Sequence, residues 1–187
     1  MNSLLIDKHN VSGDIWTFKF KRPEKFDFIA GQFIELSITD NNNKILKRWF
    51  TISSSPTIKN YISITTRLPI TKSNFKQLLS DIKPKYKVNI SDSMGDFVLP
   101  RDKEASLLLI GIGIGVTPYL SIINYLETIG ESRNISMILV KGRQDKDILY
   151  RDLMSKISEQ LIVLEHNQLV NLTNNTTNKL LLVKDYI

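Results

Sequence analysis

From residue 107 the chain turns apolar and then glycine-rich, and this passage limits the possible folds more than any other. Leu107-Leu108-Leu109-Ile110 is an unbroken apolar run, as expected of a strand buried on both faces. Gly111-Ile112-Gly113-Ile114-Gly115-Val116-Thr117-Pro118 follows at once. The spacing predicts a helix over 118–129, with Thr117 as N-cap, Pro118 at the first helical position and Gly130 as the stop. A strand over 136–140, a helix over 148–159 and a strand over 161–164 continue the pattern. That β-α-β-α-β order implies a parallel sheet with right-handed crossovers. Glycines between a strand and a helix let the backbone approach a ligand closely, and the helix start offers free N–H groups that suit a pyrophosphate. A tight turn holding nothing is the plainer reading, but three glycines at alternate positions are more than a turn needs, which favours the ligand. The loop matches neither GxGxxG nor GxxxxGK[ST].

The first hundred residues follow another rhythm. Segments 15–20, 33–38, 49–52, 61–66 and 86–90 are rich in aromatic and β-branched residues, and turn signals separate them. Short strands at regular intervals predict a small antiparallel β-barrel or sandwich. One helix interrupts it, capped by Ser73, with Phe75, Leu78, Leu79 and Ile82 on one face and Pro84 as its end. The expected organisation is two domains, an antiparallel β-barrel over 1–103 and an α/β parallel-sheet nucleotide-binding domain over 104–187. Residues 101–105 are the expected linker, and 171–178, rich in Asn and Thr, a surface loop.

Composition removes several classes of chemistry. The 187 residues contain no cysteine, so disulfides, a thiolate nucleophile and cysteine-ligated zinc or iron–sulfur sites are excluded. His9 and His166 are far apart, so no metal site is expected. The net charge of +6 comes from scattered lysines, as on a solvated surface, and no block of five or six like charges marks a nucleic-acid tract. The segment 107–123 is too short and too interrupted for a comfortable membrane span. Residues 1–10 lack the basic start and apolar run of a secretory signal. A soluble cytoplasmic protein is the resulting expectation.

A second constellation is Arg48-Trp49-Phe50-Thr51-Ile52-Ser53-Ser54-Ser55-Pro56. An arginine followed by aromatics and hydroxyls suits a phosphate and a flat ring. On a strand, Arg48 and Phe50 would share one face, with Trp49 and Thr51 on the other. A strand with an edge arginine explains the same residues without a ligand. Ser73 reads as a helix cap or as a phosphate-binding cap. Residues 95–100 read as a turn into a domain boundary.

In this order, these segments resemble the ferredoxin–NADP⁺ reductase superfamily over nearly the whole chain. Gly31-Gln32-Phe33 looks like its Pro-Gly-Gln-aromatic turn, with Ala30 in place of proline. Arg48, Phe50 and Thr51 resemble its Arg-x-Tyr-Ser/Thr flavin motif, with Phe50 for tyrosine. Ser73-Asn74-Phe75 resembles the Ser-x-aromatic start of the pyrophosphate helix, and Gly95 and Phe97 keep part of a Gly-Pro-x-Gly-x-Phe loop. Residues 113–118 resemble the Gly-Ile-Gly-Ile-Thr-Pro dinucleotide loop, with Ile112 where a further glycine is usual.

The resemblance implies an FAD-dependent oxidoreductase that takes a hydride from NAD(P)H and passes electrons, singly, to a ferredoxin-, flavodoxin- or haem-type protein or to a small molecule. It implies that Arg48 pairs with the flavin phosphates and that Phe50 stacks on the ring or ribityl chain. Trp49 belongs to the same flavin segment, and Thr51 places a hydroxyl near the reactive ring nitrogen, as a tuner of the catalytic step. Thr65, Thr66 and Ser73 line the pyrophosphate path. Gly113, Ile114, Gly115, Val116, Thr117 and Pro118 hold the dinucleotide and bring its nicotinamide to the flavin. The cofactors would carry the chemistry. Lys141 and Arg143, with Asp145 close behind, lean toward NADPH.

Two departures accompany this. Phe50 lacks the hydroxyl of the usual tyrosine. No Cys-Gly-Pro strand is present after 179–187, which resemble the helix before it, so the chain is either shortened or closes the nicotinamide site differently. A flavin-binding electron-transfer subunit that does not itself oxidise NAD(P)H stands as an alternative. A basic nucleic-acid-binding barrel, with Trp16, Phe18 and Phe20 between Lys19, Lys21 and Arg22, is another.

Overall fold

In the computed structural model, which describes residues 1–142, 149–156 and 160–165, nine strands fall into two sheets. The antiparallel sheet contains β1 (Asn2–Ser12), β2 (Ile15–Lys21), β3 (Phe33–Thr39), β4 (Ile45–Thr51), β5 (Tyr61–Arg67) and β6 (Lys87–Ile90), ordered β4-β3-β6-β1-β2-β5. The parallel sheet is β7 (Leu107–Ile112), β8 (Ile135–Val140) and β9 (Gln160–Leu164), in that order. Three α-helices are described: α1 (Asn74–Asp81), α2 (Thr117–Ile129) and α3 (Arg151–Ser155). The backbone divides into two units. One is Met1–Leu99 together with Thr117–Ile129; the other is Pro100–Val116 together with the described residues after Gly130.

Period-two alternation builds the core of the first unit. Phe18 and Phe20 of β2, Ile34, Leu36 and Ile38 of β3, and Ile62 and Ile64 of β5 are at most 1% exposed and meet in one cluster with Phe75 and Leu79 of α1. Each fully buried side chain of this size contributes about 1.5–3 kcal/mol. The same burial removes Phe18 and Phe20 from any base-stacking face, so the aromatic stripe on which the nucleic-acid alternative relied is part of the core.

The expected barrel is an antiparallel sheet that does not close. Strands β4 and β5 stand at its two ends, and the isolated bridge Ile52–Ile64 joins them where β4 runs out. The physical reason lies just beyond, where residues 53–58 leave the ladder and fold into a turn around Pro56, with the Ile58 N–H on the Ser55 carbonyl at 3.2 Å.

Strand β1 is an element that the sequence pattern does not announce. It pairs with both β2 and β6, and its Lys8 reaches the end of α1, donating to the carbonyls of Ser80 and, at 2.8 Å, Ile82. A cation there satisfies carbonyls that a helix end leaves free. Burial, chiefly, lowers the pKa of Lys8.

Glycine is required at two loop positions. Gly31 has φ +101° and a Cβ there would sit 2.0 Å from the carbonyl oxygen of Phe97; Gly95 has φ +103° and its Cβ would press on the Phe33 ring. Gln32 ties the two loops, donating from Nε2 to the Gly95 carbonyl at 3.2 Å. The helix cap at Ser73 forms as expected, its hydroxyl accepting from the Lys76 N–H at 3.4 Å.

Candidate functional site

Strand β4 carries the arginine motif in a register that decides which side chains meet. Arg48 pairs across to Leu36 and Phe50 to Ile34, so both lie on the core-facing side of the ladder. The Phe50 ring is 5.7 Å from that of Phe75, tilted by 35°, and the Arg48 guanidinium stands 6.0 Å over Phe75 while donating to the Lys47 carbonyl at 2.7 Å. Phe75 follows the Ser73 cap by two residues. The structure therefore brings Arg48, Phe50 and the first turn of α1 together.

Two further cations belong here that the sequence reading left out. Lys76 is held below its ordinary pKa by burial first, then by Arg67; Asp14 opposes this, and Arg48 adds to it. Arg67 pairs with Asp14 at 2.7 Å. Asp14 offsets the Arg67 charge, and a bound anion would be favoured by the remaining positive charge of Arg48 and Lys76 at this helix start. Their chemistry fits the phosphates of a flavin nucleotide, with the Phe50 and Phe75 rings beside them as apolar surface. A flag for these residues existed in the sequence, namely Lys76 at the third helical position and Arg67 at the end of its strand, but neither spacing is distinctive alone.

Other expected site residues lie apart. Trp49 is 69% exposed on the opposite face of β4, its ring 5.9 Å from Phe33. Thr51, half-buried, ends the strand opposite Phe33. Thr65 and Thr66, being adjacent on β5, point to opposite faces. The Thr65 hydroxyl is engaged in a buried chain, 2.8 Å from Thr17 Oγ1 and 3.0 Å from Ser53 Oγ, which in turn lies 3.0 Å from Ser63 Oγ. Thr66 pairs across to Trp16 on the core side.

The glycine loop differs from expectation at one point. Gly113–Val116 forms a 3₁₀ turn that runs into α2, so helical backbone starts four residues before Thr117, which is the first residue of the helix and not its cap. Gly113 has φ +52°, a conformation that favours glycine. Ile114, Gly115 and Pro118 are half-buried, and Val116 and Thr117 buried. Lys141 lies 3.5 Å from Glu165; Arg143, Asp145 and residues 179–187 fall outside the described residues.

Comparison with known proteins gives the family and the fold. The family model of the oxidoreductase FAD-binding domain matches residues 2–99, just over half of the chain. NADH oxidoreductase HCR of Escherichia coli (strain K12) is 28% identical over 139 residues, 74% of this chain and 42% of that protein. The electron transfer subunit of dihydroorotate dehydrogenase B (NAD(+)) of Fusobacterium nucleatum is 28% identical over 135 residues, 71% of this chain and 49% of that one. The chain thus spans less than half the length of these curated relatives. Among solved structures, a ferredoxin NADP+ reductase from Neisseria gonorrhoeae with bound FAD and NADP shares the fold, with a TM-score of 0.71 at 19% identity over 88% of this chain and 67% of that one. With the motif residues 48–51 and the capped helix inside the matched segment, the chain belongs to the oxidoreductase FAD-binding domain family.

Proposed function

We propose that this chain binds FAD and serves an oxidoreductase that takes a hydride from NAD(P)H and hands electrons to an acceptor protein of ferredoxin, flavodoxin or haem type. The observation that carries the reading is Arg48 standing over Phe75 in the first turn of α1, next to the Phe50–Phe75 pair and with Lys76 beside it. When bound, FAD supplies the two-electron to one-electron conversion that no side chain provides.

The residues of the chain bind and orient. Arg48 neutralises phosphate charge, with Arg67, Lys76 and the N–H groups of the Ser73 turn beside it. Phe50 offers an apolar face without a hydroxyl, so the hydrogen-bonding work near the ring passes to Thr51 Oγ1. Ser73 serves through its cap. The Thr65 hydroxyl, engaged with Thr17 and Ser53, contributes by fixing β5, and Thr66 through backbone. Trp49, exposed on the other face, is left to packing on Phe33.

Gly113, Ile114, Gly115, Val116, Thr117 and Pro118 are proposed to receive the dinucleotide, with N–H groups of the 3₁₀ turn toward its phosphates. The boundary we assign falls at residue 103, with the flavin part before it and the NAD(P)-binding part after, apart from helix α2, which the backbone contacts group with the first unit. Lys141 and Arg143 favour NADPH, although the Glu165 carboxylate beside Lys141 offsets one of those charges. No described helix is long and apolar enough to cross a membrane.

Loading the purified chain with FAD and adding NADH or NADPH without oxygen tests the reading. Bleaching of the flavin absorbance is expected with at least one of them. Stable flavin binding with no bleaching by either moves the chain to the electron-transfer-subunit alternative. A folded protein that takes up no flavin ends both readings.

A further inference from the structure

Arg22 follows β2 and is 7% exposed. Its guanidinium serves four acceptors. Nε donates to the Phe26 carbonyl at 3.0 Å, Nη1 to the carbonyls of Pro56 at 2.8 Å and Ile58 at 2.6 Å, and Nη2 to Asp27 Oδ1 at 2.8 Å. The group also lies over the Phe28 ring at 5.2 Å. The Asp27 side chain is 87% exposed, so an ion pair does not explain the burial of the arginine. The three backbone carbonyls do. They come from two separate segments and converge on one buried point, where each would be costly to leave unpaired. A planar fork reaches acceptors along two edges; an ammonium, with its donors on one atom, does not.

What these segments carry locates the consequence. Residues 53–58 continue β4 directly past Phe50 and Thr51. Residues 26–32 end at Gln32, whose carbonyl accepts from the Ile52 N–H at 3.0 Å. The Ser54 carbonyl receives the Ser121 hydroxyl of α2 at 2.6 Å, and Ser53 is bonded to Ser63 through both backbone and side chain. The backbone leaving Thr51 is thus fixed on several sides, and Arg22 joins the two segments that flank it. Arg48, three residues earlier, is held separately by the Lys47 carbonyl and the Phe75 ring.

We propose that Arg22 is a positioning residue that sets how Thr51 is presented to the flavin ring, acting through the backbone of 53–58 and 26–32. The inference rests on the flavin reading above. It predicts a defect in ring orientation beyond any loss of stability.

The test compares the FAD-loaded full chain with Arg22→Ala and Arg22→Lys, reading visible circular dichroism of the flavin and FAD affinity by fluorescence quenching. Loss of a supporting group of this kind weakens binding by about ten- to a hundredfold. Both variants are expected to show that weakening with a flattened visible dichroism band, and millimolar guanidinium is expected to restore the band in Arg22→Ala. A folded Arg22→Ala with an unchanged band overturns the proposal. So does an Arg22→Lys variant equal to the parent, because charge alone would then suffice. Should Arg22→Ala not fold, Arg22→Lys carries the test; if neither folds, the role is structural and the proposal falls. Failure of the parent protein to bind FAD is a separate result that removes the flavin reading itself.

Discussion

The carbonyl oxygen of Phe97 lies 2.0 Å from the point that a Cβ on residue 31 would occupy. The neighbour is backbone, so it cannot swing aside as a side chain would. With φ at +101°, residue 31 is glycine on two independent grounds.

Gly31→Ala is expected to cost about 2–5 kcal/mol, combining backbone strain with overpacking. Gly13→Ala is the control: its φ is +55° but nothing lies within 4 Å of its Cβ, so about 1–2 kcal/mol of left-handed strain is expected. Urea titrations of both variants check this. Equal losses would show that the close approach to Phe97 contributes nothing.

Arg48→Gln is expected to weaken FAD binding by about ten- to a hundredfold, the range for a hydrogen bond to a charged group. Arg48→Lys should recover part of it, and the parent's affinity should fall with added salt more steeply than that of Arg48→Gln. Isothermal titration across a salt series is the measurement, and parallel salt slopes would remove Arg48 from the phosphate site.

Lys76 gives the site a pH dependence of known sign. Burial, then Arg67 and Arg48, hold its pKa below 10.5 in the unliganded protein. An anion prefers the protonated amine, so binding FAD raises that pKa again. Affinity is therefore full below the unliganded pKa and declines as pH rises through it. Lys76→Met should bind more weakly at neutral pH and lose the alkaline decline. Flavin affinity measured from pH 7 upward decides it, and an identical decline in Lys76→Met would assign the titration elsewhere.

Thr65→Val removes the middle of the Thr17–Thr65–Ser53–Ser63 hydroxyl chain, leaving buried hydroxyls on both sides of the gap. A loss of about 1–3 kcal/mol follows from stranding such groups. FAD affinity should stay within about twofold, far less than the change that losing a direct charged contact brings. A large loss of affinity in a folded variant would return the Thr65 hydroxyl to the cofactor.

Much of this was legible in the sequence because it rests on local rules. Ser73 before a 3.6-period stripe, the β-branched run of 61–66 and the apolar run before Gly111 each follow from a few neighbouring residues. The parts that were hidden depend on distant partners. Strand β1 alternates poorly, with Ile6 exposed and Asp7, Lys8 and His9 in its middle, and exists because β2 and β6 flank it. Arg48 and Phe50 of β4 meet Phe75 in the first turn of α1, with Lys76 next to it, a closeness between two separate elements that no motif encodes. The barrel expectation failed at closure for a similar reason: strand count is written in the sequence, whereas the turn at 53–58 that ends the β4 ladder depends on Arg22, Ser63 and Ser121.

Helix Thr117–Ile129 groups with the N-terminal sheet, although the chain on both sides of it belongs to the other unit. No single scission yields either unit whole. A clone stopping at residue 99 would keep the six-stranded ladder yet strip the Ser54 carbonyl of its Ser121 donor and the Phe97 ring of its Tyr119 neighbour. The smallest portable flavin fragment is accordingly a spliced one, with residues 100–116 exchanged for a tether and the helix retained.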